Sequence, residues 1–447
     1  MIRASRFCGT VLAPGDKSIS HRALILAALA RGRCELTNLA PGADVRSTAA
    51  CLRSLGAQVQ LDQSAAIVSG RGLSGLKAPN GTLDCGNSGT TIRLLCGAVA
   101  GSGVGGALDG DESLRRRPMK RVLDPLRLMG AEAEGSRNAR GEETAPLRFQ
   151  PGRRLVGKRH ELAIASAQVK SCLLLAGLWA DGQTVIREPH LSRDHSERML
   201  RAFGASVQTL PDGGISIEGQ GGELTPPENL HVPGDPSSAA FFIAAALMVQ
   251  GQVEVRSVDV NPTRVGFLNV LRRMGAEIEL TPEADSAGDP VASMAVRKSS
   301  KLKCTEVLAA EIPALLDELP ILSVLATQAQ GLSRIRGAAE LRYKESDRIA
   351  QMARGLSAMG AVVRELDDGL EIHGPSRLRG ARIDSMSDHR IAMSFAIAGL
   401  AADGETVIDG AEWADISFPG FFELLSQLSD RAVSVSGVER GAHARDK

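Results

Sequence analysis

Apolar positions along the chain fall into two patterns. Residues 23–30, 171–179, 239–249 and 391–402 are hydrophobic at nearly every position, which predicts helices without a solvent face, since a helix apolar all round must be buried. Elsewhere apolar and polar residues alternate, as in Ala57-Gln58-Val59-Gln60-Leu61-Asp62 and around Val207, which predicts strands with one face in water. A third kind of segment, such as 44–55, carries the helical period and stops at Leu55-Gly56-Ala57. The stop recurs as Met129-Gly130-Ala131, Phe203-Gly204-Ala205, Met274-Gly275-Ala276 and Met359-Gly360-Ala361, at intervals of roughly 70 to 85 residues. Each glycine suits the left-handed position that ends helices.

The order within each interval is constant: a polar or Gly-containing opening, a buried helix, a turn, an alternating strand, a second helix and the Gly-Ala stop. A sixth copy runs through Phe418-Pro419 to Leu428. Buried helices wrapped by half-exposed sheets predict an α/β fold of the inside-out barrel type. Two kindred openings, Pro14-Gly15-Asp16-Lys17-Ser18 and Pro233-Gly234-Asp235-Pro236-Ser237, lie three repeats apart; their Pro-Gly pairs signal turns and their serines stand at helix starts. We read them as crossings, near 14–16 and 232–235, between two domains of three repeats each. One is discontinuous, 1–14 with 234–447; the other is 15–233. The strand before Pro14 then belongs with the C-terminal half, and 434–447 is a polar, frayed tail.

At 447 residues the chain exceeds what one core usually supports, in keeping with two domains. Lys+Arg and Asp+Glu both number 52, so no nucleic-acid partner is expected and anionic ligands must be met by local clusters of cations. Aromatic residues make up only 3%, too few for base-stacking platforms. Seven cysteines without a CxxC pair read as small buried residues of a reducing compartment. Residues 1–10 lack the apolar run of a signal peptide and no stretch is long enough for a bilayer, so the expected location is cytoplasmic, with no membrane partner.

Basic and small polar residues gather at the repeat openings, where N–H groups of helix starts also point outward. Lys17-Ser18 is followed one turn later by Arg22. Gly86-Asn87-Ser88-Gly89-Thr90-Thr91, with Arg93, reads as a small-residue turn that lets backbone approach a ligand. Arg115-Arg116-Arg117-Pro118, Ser166-Ala167-Gln168 with Lys170, Arg193, Lys344-Glu345 with Arg348, and Asp388-His389-Arg390 follow. Taken singly, each is an ordinary surface charge, helix cap or helical charge pair. Their occurrence together, at successive openings, points to an anion site. Gly101, Gly103 and Gly106 satisfy GxGxxG, but no helical pattern follows before Asp109-Gly110-Asp111, which excludes a dinucleotide reading. No HExxH or Cys/His spacing supports a metal site, and no GxSxG elbow is present.

The run 12–22 (Leu-Ala-Pro-Gly-Asp-Lys-Ser-Ile-Ser-His-Arg), Gly86-Asn87-Ser88-Gly89-Thr90, Arg117-Pro118-Met119, Leu341-Arg342-Tyr343-Lys344-Glu345-Ser346-Asp347-Arg348 and Asp388-His389-Arg390 resemble the EPSP synthase family, over a span from about 12 to 428. The resemblance implies transfer of the enolpyruvyl group of phosphoenolpyruvate to the 5-hydroxyl of shikimate 3-phosphate, by a monomer without cofactor or metal. It implies that shikimate 3-phosphate is held by Lys17, Ser18, Arg22, Ser166, Ala167 (through its backbone), Gln168, Arg193, Asp317 and Lys344. Phosphoenolpyruvate is then held by Lys17, Asn87, Gly89, Arg117, Gln168, Arg348 and Arg390. Asp317 matches the family's carboxylate at the reacting hydroxyl and Glu345 the one near the methylene carbon, with Lys17 as an alternative proton donor. These sets come from both domains, which implies closure around the substrates. The chain departs from some relatives at Ser417, where they carry Lys before Phe-Pro. Gly89 stands where glyphosate-tolerant relatives carry Ala, which implies sensitivity to that inhibitor.

Three rivals are weaker. The UDP-N-acetylglucosamine enolpyruvyl transferases pair the early Lys with Asn rather than Ser18, and carry a reactive Cys where this chain has Glu112. An RNA 3′-phosphate cyclase needs a nucleophilic His and a nucleotide site. A non-catalytic anion-binding relative has no need of Asp317 and Glu345 together.

Overall fold

The computed structural model describes residues 1–434 apart from Arg153, Gln220, Gly221 and Ser300; the expected tail, from 435 onward, lies outside the described residues. The chain divides into two compact units. The inserted unit is Pro14–Gly234 with Ala284–Val291; the flanking unit is Met1–Ala13, Asp235–Glu283 and the chain from Ala292. No sequence pattern marks the excursion 284–291.

The inserted unit carries three four-stranded sheets of one design. Their strands run, in spatial order, Asn229–His231, Arg31–Thr37, Ala65–Arg71, Gln58–Asp62; Leu83–Asp84, Gly106–Asp109, Glu143–Phe149, Ala133–Arg137; and Arg159–Glu161, Gln183–Arg187, Ile215–Glu218, Val207–Thr209. In each, the first pair is parallel and the other two antiparallel. The flanking unit has two such sheets. One is built on Gly9–Leu12 beside Gln252–Asp259, the other on Glu306–Val307 beside Gly331–Ile335; a parallel pair, Arg382–Asp384 with Val407–Asp409, stands in the third position. The strand before Pro14 therefore completes a sheet of the C-terminal half, in register Gly9 to Val253.

Helices with no solvent face fill each unit: Lys17–Leu29, Gly89–Ser102 and Ala167–Gly177 in the inserted unit, Pro236–Met248, Leu319–Ala326 and His389–Ala401 in the flanking one. The apolar runs point to four of these six. Gly89–Ser102 starts inside what reads as a small-residue turn, and Leu319–Ala326 starts with Pro320 in its first turn, where a missing N–H costs nothing. Asp16 and Asp235, rather than the motif serines, cap the two kindred helices; their Oδ1 atoms accept from the Ile19 and Ser237 amides at 2.8 and 2.9 Å.

The five Gly-Ala stops share one geometry. Gly56, Gly130, Gly204, Gly275 and Gly360 have φ between 85 and 104°, and the following Ala amides bond back to the carbonyls of Leu52, Leu126, Leu200, Leu271 and Leu356. Arg53, Arg127 and Arg201, three residues before their glycines, donate Nε to the carbonyls of Val59, Ala133 and Val207, tying each outer helix to the strand it feeds. The sixth stop, after Phe421–Leu428, uses Asp430 and Arg431 at φ of 50 and 61° instead. No helix among the described residues is long and apolar enough to cross a membrane.

Candidate active site

In the inserted unit most candidate residues sit in or next to the first turns of the three buried helices, while Arg117 and Arg193 lie in loops ahead of two other helices. Arg22 is 4% exposed. Its Nε and Nη2 donate to Ser196 Oγ and Ser171 Oγ, each at 2.7 Å, and Nη1 donates to the Ser18 carbonyl at 2.8 Å. All three acceptors are neutral. Burial takes the guanidinium down to a pKa of about 10, even though the charges of Glu197 and Asp16 oppose it, and the charge of Arg193 presses the same way as burial. The arrangement holds a positive charge out of water without a bonded counter-ion, a setting that favours a bound anion.

Lys17 pairs with Asp44 at 2.8 Å. Burial would raise the Asp44 carboxyl, but Lys17 and the nearby His21 and Arg117 charges outweigh it and hold the pKa near 2. His21, fully buried against Thr48 Oγ1 at 2.7 Å, is pushed down to about 3 by burial and is neutral. Thr48 Oγ1 in turn meets Thr91 Oγ1 at 2.7 Å, which links the first helix to the start of the second.

Ser88 caps the second helix, and Gly89 is its first residue. A Cβ at Gly89 would lie 3.0 Å from Arg117 Nη1 and 3.1 Å from Arg93 Nη1, so glycine here lets two guanidinium groups approach the helix start. Arg117 donates to Asn87 Oδ1 at 2.7 Å, and Arg93 to Gln168 Oε1 at 2.5 Å. Gln168 Nε2 reaches Thr90 Oγ1 at 3.0 Å, joining the second and third openings. Ser166 caps the third buried helix, with Ala167 as its first residue.

In the flanking unit the cations are met by carboxylates. Arg348 donates to Asp388 from Nε at 2.8 Å and from Nη2 at 3.2 Å, and to Glu345 Oε2 at 2.6 Å; Asp317 Oδ1 stands 3.9 Å from Nη1. Arg390 Nη1 donates to the Asp317 carbonyl at 3.0 Å. Burial would lower Arg348, but Asp388 and Glu345 raise it above its ordinary value; Arg348 in return holds both carboxyls below theirs against burial. His389 is pushed to about 3 by burial and by the Arg390 and Arg348 charges. Lys344 pairs with Glu340 at 2.8 Å. Phe418, beside the departing Ser417, packs with Phe242 and Phe421 at ring separations of 5.4 and 5.7 Å and is part of the core, while Pro419 is exposed.

The openings at 84–89 and 384–389 are structural twins. Asp84 and Asp384 accept from the Gly86 and Met386 amides at 2.8 Å, and the Ser88 and Asp388 amides bond to the carbonyls of Cys85 and Ser385. The left-handed turn is made by Gly86 in one and by Met386 and Ser387 in the other.

Several residues of these clusters are not singled out by sequence reasoning. Asp44, Ser171, Ser196, Glu188 and Glu197 lie far in the chain from the groups they serve. Lys170 carried a usable signal, because a lysine placed one turn into an all-apolar helix has to be paired.

The fold is shared with the enolpyruvyl transferase NikO from Streptomyces tendae, 19% identical, at a TM-score of 0.75 over 96% of each chain. The chain belongs to the EPSP synthase (3-phosphoshikimate 1-carboxyvinyltransferase) family, whose model matches residues 3–425. It is 49% identical to a 3-phosphoshikimate 1-carboxyvinyltransferase of Geobacter sp. (strain M21), over 95% of this chain and 97% of that protein. The structure of EPSP synthase from Acinetobacter baumannii is similar at 40% identity and a TM-score of 0.88, covering 96% of this chain and 97% of that one.

Proposed function

We propose that the chain transfers the enolpyruvyl group of phosphoenolpyruvate to the 5-hydroxyl of shikimate 3-phosphate, as a cytoplasmic monomer without metal or cofactor. Beyond the family match, the observation that carries this reading is Arg22, a buried guanidinium whose hydrogen-bond partners are all neutral oxygens. With Ser18, Ser166, Ala167, Gln168 and Arg193 it forms the shikimate 3-phosphate site, to which the reading adds Asp317 and Lys344. Lys17, Asn87, Gly89, Arg117, Gln168, Arg348 and Arg390 take phosphoenolpyruvate, whose phosphate and carboxylate both suit guanidinium forks.

The hydroxyl oxygen attacks C2 while C3 gains a proton; the tetrahedral adduct then loses that proton and the phosphate, with cleavage of the C2–O bond. Asp317 takes the hydroxyl proton in this scheme. Glu345 serves C3. Arg348 keeps it ionised at neutral pH in the free protein, the form that removes a proton in the elimination half. To donate in the addition half it must first take up a proton, which becomes favourable when the substrate anion takes over Arg348 and the carboxyl rises toward its ordinary value; Lys17 is the alternative donor. Purified protein mixed with both substrates, without added metal, should release inorganic phosphate. No release, or release that does not require shikimate 3-phosphate, would refute the assignment.

A further inference from the structure

Lys170 is 1% exposed, and its Nζ lies 2.8 Å from both Glu188 Oε2 and Glu197 Oε1. One ammonium between two carboxylates is a costly group to bury, and such clusters are weak sources of stability compared with apolar packing. What the cluster does is join three stretches of chain. Glu188 Oε1 accepts the Ser166 amide at 2.8 Å, and the same carboxylate accepts the Ser192 hydroxyl at 2.8 and 2.7 Å. Lys170 also donates to the Ser192 carbonyl at 3.4 Å. Glu197 is preceded along the chain by Ser196, whose hydroxyl accepts from Arg22 and meets Ser171 Oγ at 2.6 Å. Ser171 is the residue after Lys170. Ser166, Arg193 (next to Ser192) and Arg22 are thereby referred to one buried charge, although none of them bonds the Lys170 ammonium itself.

We propose that Lys170, Glu188 and Glu197 are positioning residues for the phosphate-bearing acceptor substrate, setting the mutual geometry of Ser166, Arg193 and Arg22 without contacting the ligand. This rests on the reading of those three as the acceptor site. The cluster's charge matters because a half-neutralised network would let the 166–170 and 188–193 segments drift. Such displacements weaken a site built from converging donors, while Asn87, Gly89 and Arg117 lie outside the segments and Gln168 stays tied to Arg93 and Thr90 of the second opening.

The test is steady-state kinetics and thermal melting of the wild type, Glu188→Gln and Ser192→Ala. Ser192→Ala removes one hydroxyl and leaves the charges in place, so it keeps the question open to measurement if Glu188→Gln does not fold. In Glu188→Gln the KM for shikimate 3-phosphate should rise about tenfold, the size expected for losing a charge-assisted hydrogen bond, with the KM for phosphoenolpyruvate unchanged. Ser192→Ala should move the same constant in the same direction by a smaller factor. Lowered melting temperature with both KM values unchanged, or both raised equally, overturns the proposal. A wild type that does not turn over shikimate 3-phosphate instead overturns the functional reading beneath it.

Discussion

Arg22 and Arg348 are both arginines at the opening of a helix, both almost wholly buried, and they are kept charged in opposite ways. Arg22 donates to two serine hydroxyls and a carbonyl, and burial draws its pKa down to about 10. Arg348 is held by Asp388 and Glu345, with Asp317 close by, and is raised above its ordinary value. A cation whose protein partners are neutral reserves its electrostatic attraction for a ligand. One already neutralised by carboxylates stores a proton-transfer group in a defined state and gives it up when a competing anion arrives. The contrast separates a binding role from a gating role for the same side chain.

The largest difference should appear on replacing each arginine by methionine. Arg348→Met strands the Asp388 carboxylate in the interior, unpairs Glu345, and should cost about 3–5 kcal/mol of stability, read as a lower denaturant midpoint, along with activity. Arg22→Met leaves only two hydroxyls and a carbonyl behind. Its midpoint should stay or rise, while the KM for shikimate 3-phosphate climbs by roughly a hundredfold or more. Equal destabilisation by the two variants would erase the distinction.

Each unit also buries one neutral imidazole beside its arginine, His21 and His389, and both are depressed to about 3. Because the unfolded value is about 6.5, the unfolded chain takes up protons that the folded chain refuses as pH drops. Their contribution is therefore complete above about pH 6.5 and falls below it, by up to about 1.4 kcal/mol per pH unit for each imidazole. Urea midpoints at pH 7 and pH 5.5 should differ for the wild type and draw closer in the His21→Gln, His389→Gln double variant, with His160, also lowered by burial, keeping a remainder; an unchanged difference would assign the acid sensitivity elsewhere. The carboxyls act later. Asp44, held near 2, contributes about 2 kcal/mol that is lost only between about pH 4 and pH 2.

The smallest effect belongs to Gly89→Ala. The new methyl meets the ends of two flexible arginines rather than backbone, so the fold should persist and the KM for phosphoenolpyruvate should rise a few-fold. Glyphosate inhibition should weaken more than that, since the inhibitor is the longer molecule; coincident inhibition curves for the two proteins would remove this account of Gly89.

Much of this was legible in the chain. The Gly-Ala stops are a backbone requirement, and all five glycines have the positive φ that the pattern demands. The cations at helix openings were legible because they sit within motifs. Two buried helices escaped, since Gly89–Ser102 and Leu319–Ala326 begin with residues that resemble turns. The partners escaped too: Asp44 for Lys17, Ser171 and Ser196 for Arg22, and Glu188 for Ser166 are long-range pairings, and one sequence records no distances. The excursion 284–291 joins the inserted unit, where Asp289 meets His195 at 2.9 Å, a pairing that neither motif nor period announces.

The parallel pairing of Gly9–Leu12 with Gln252–Asp259 has a consequence for synthesis. The partner of these four residues follows some 240 residues later, on the order of ten seconds or more at usual elongation rates. The inserted unit closes its own first sheet with Asn229–His231 in that interval, lacking only its excursion 284–291. The strand Gly9–Leu12 must wait, unpaired, until Gln252–Asp259 is made. Changes within Gly9–Leu12 should therefore disturb the unit that is completed later.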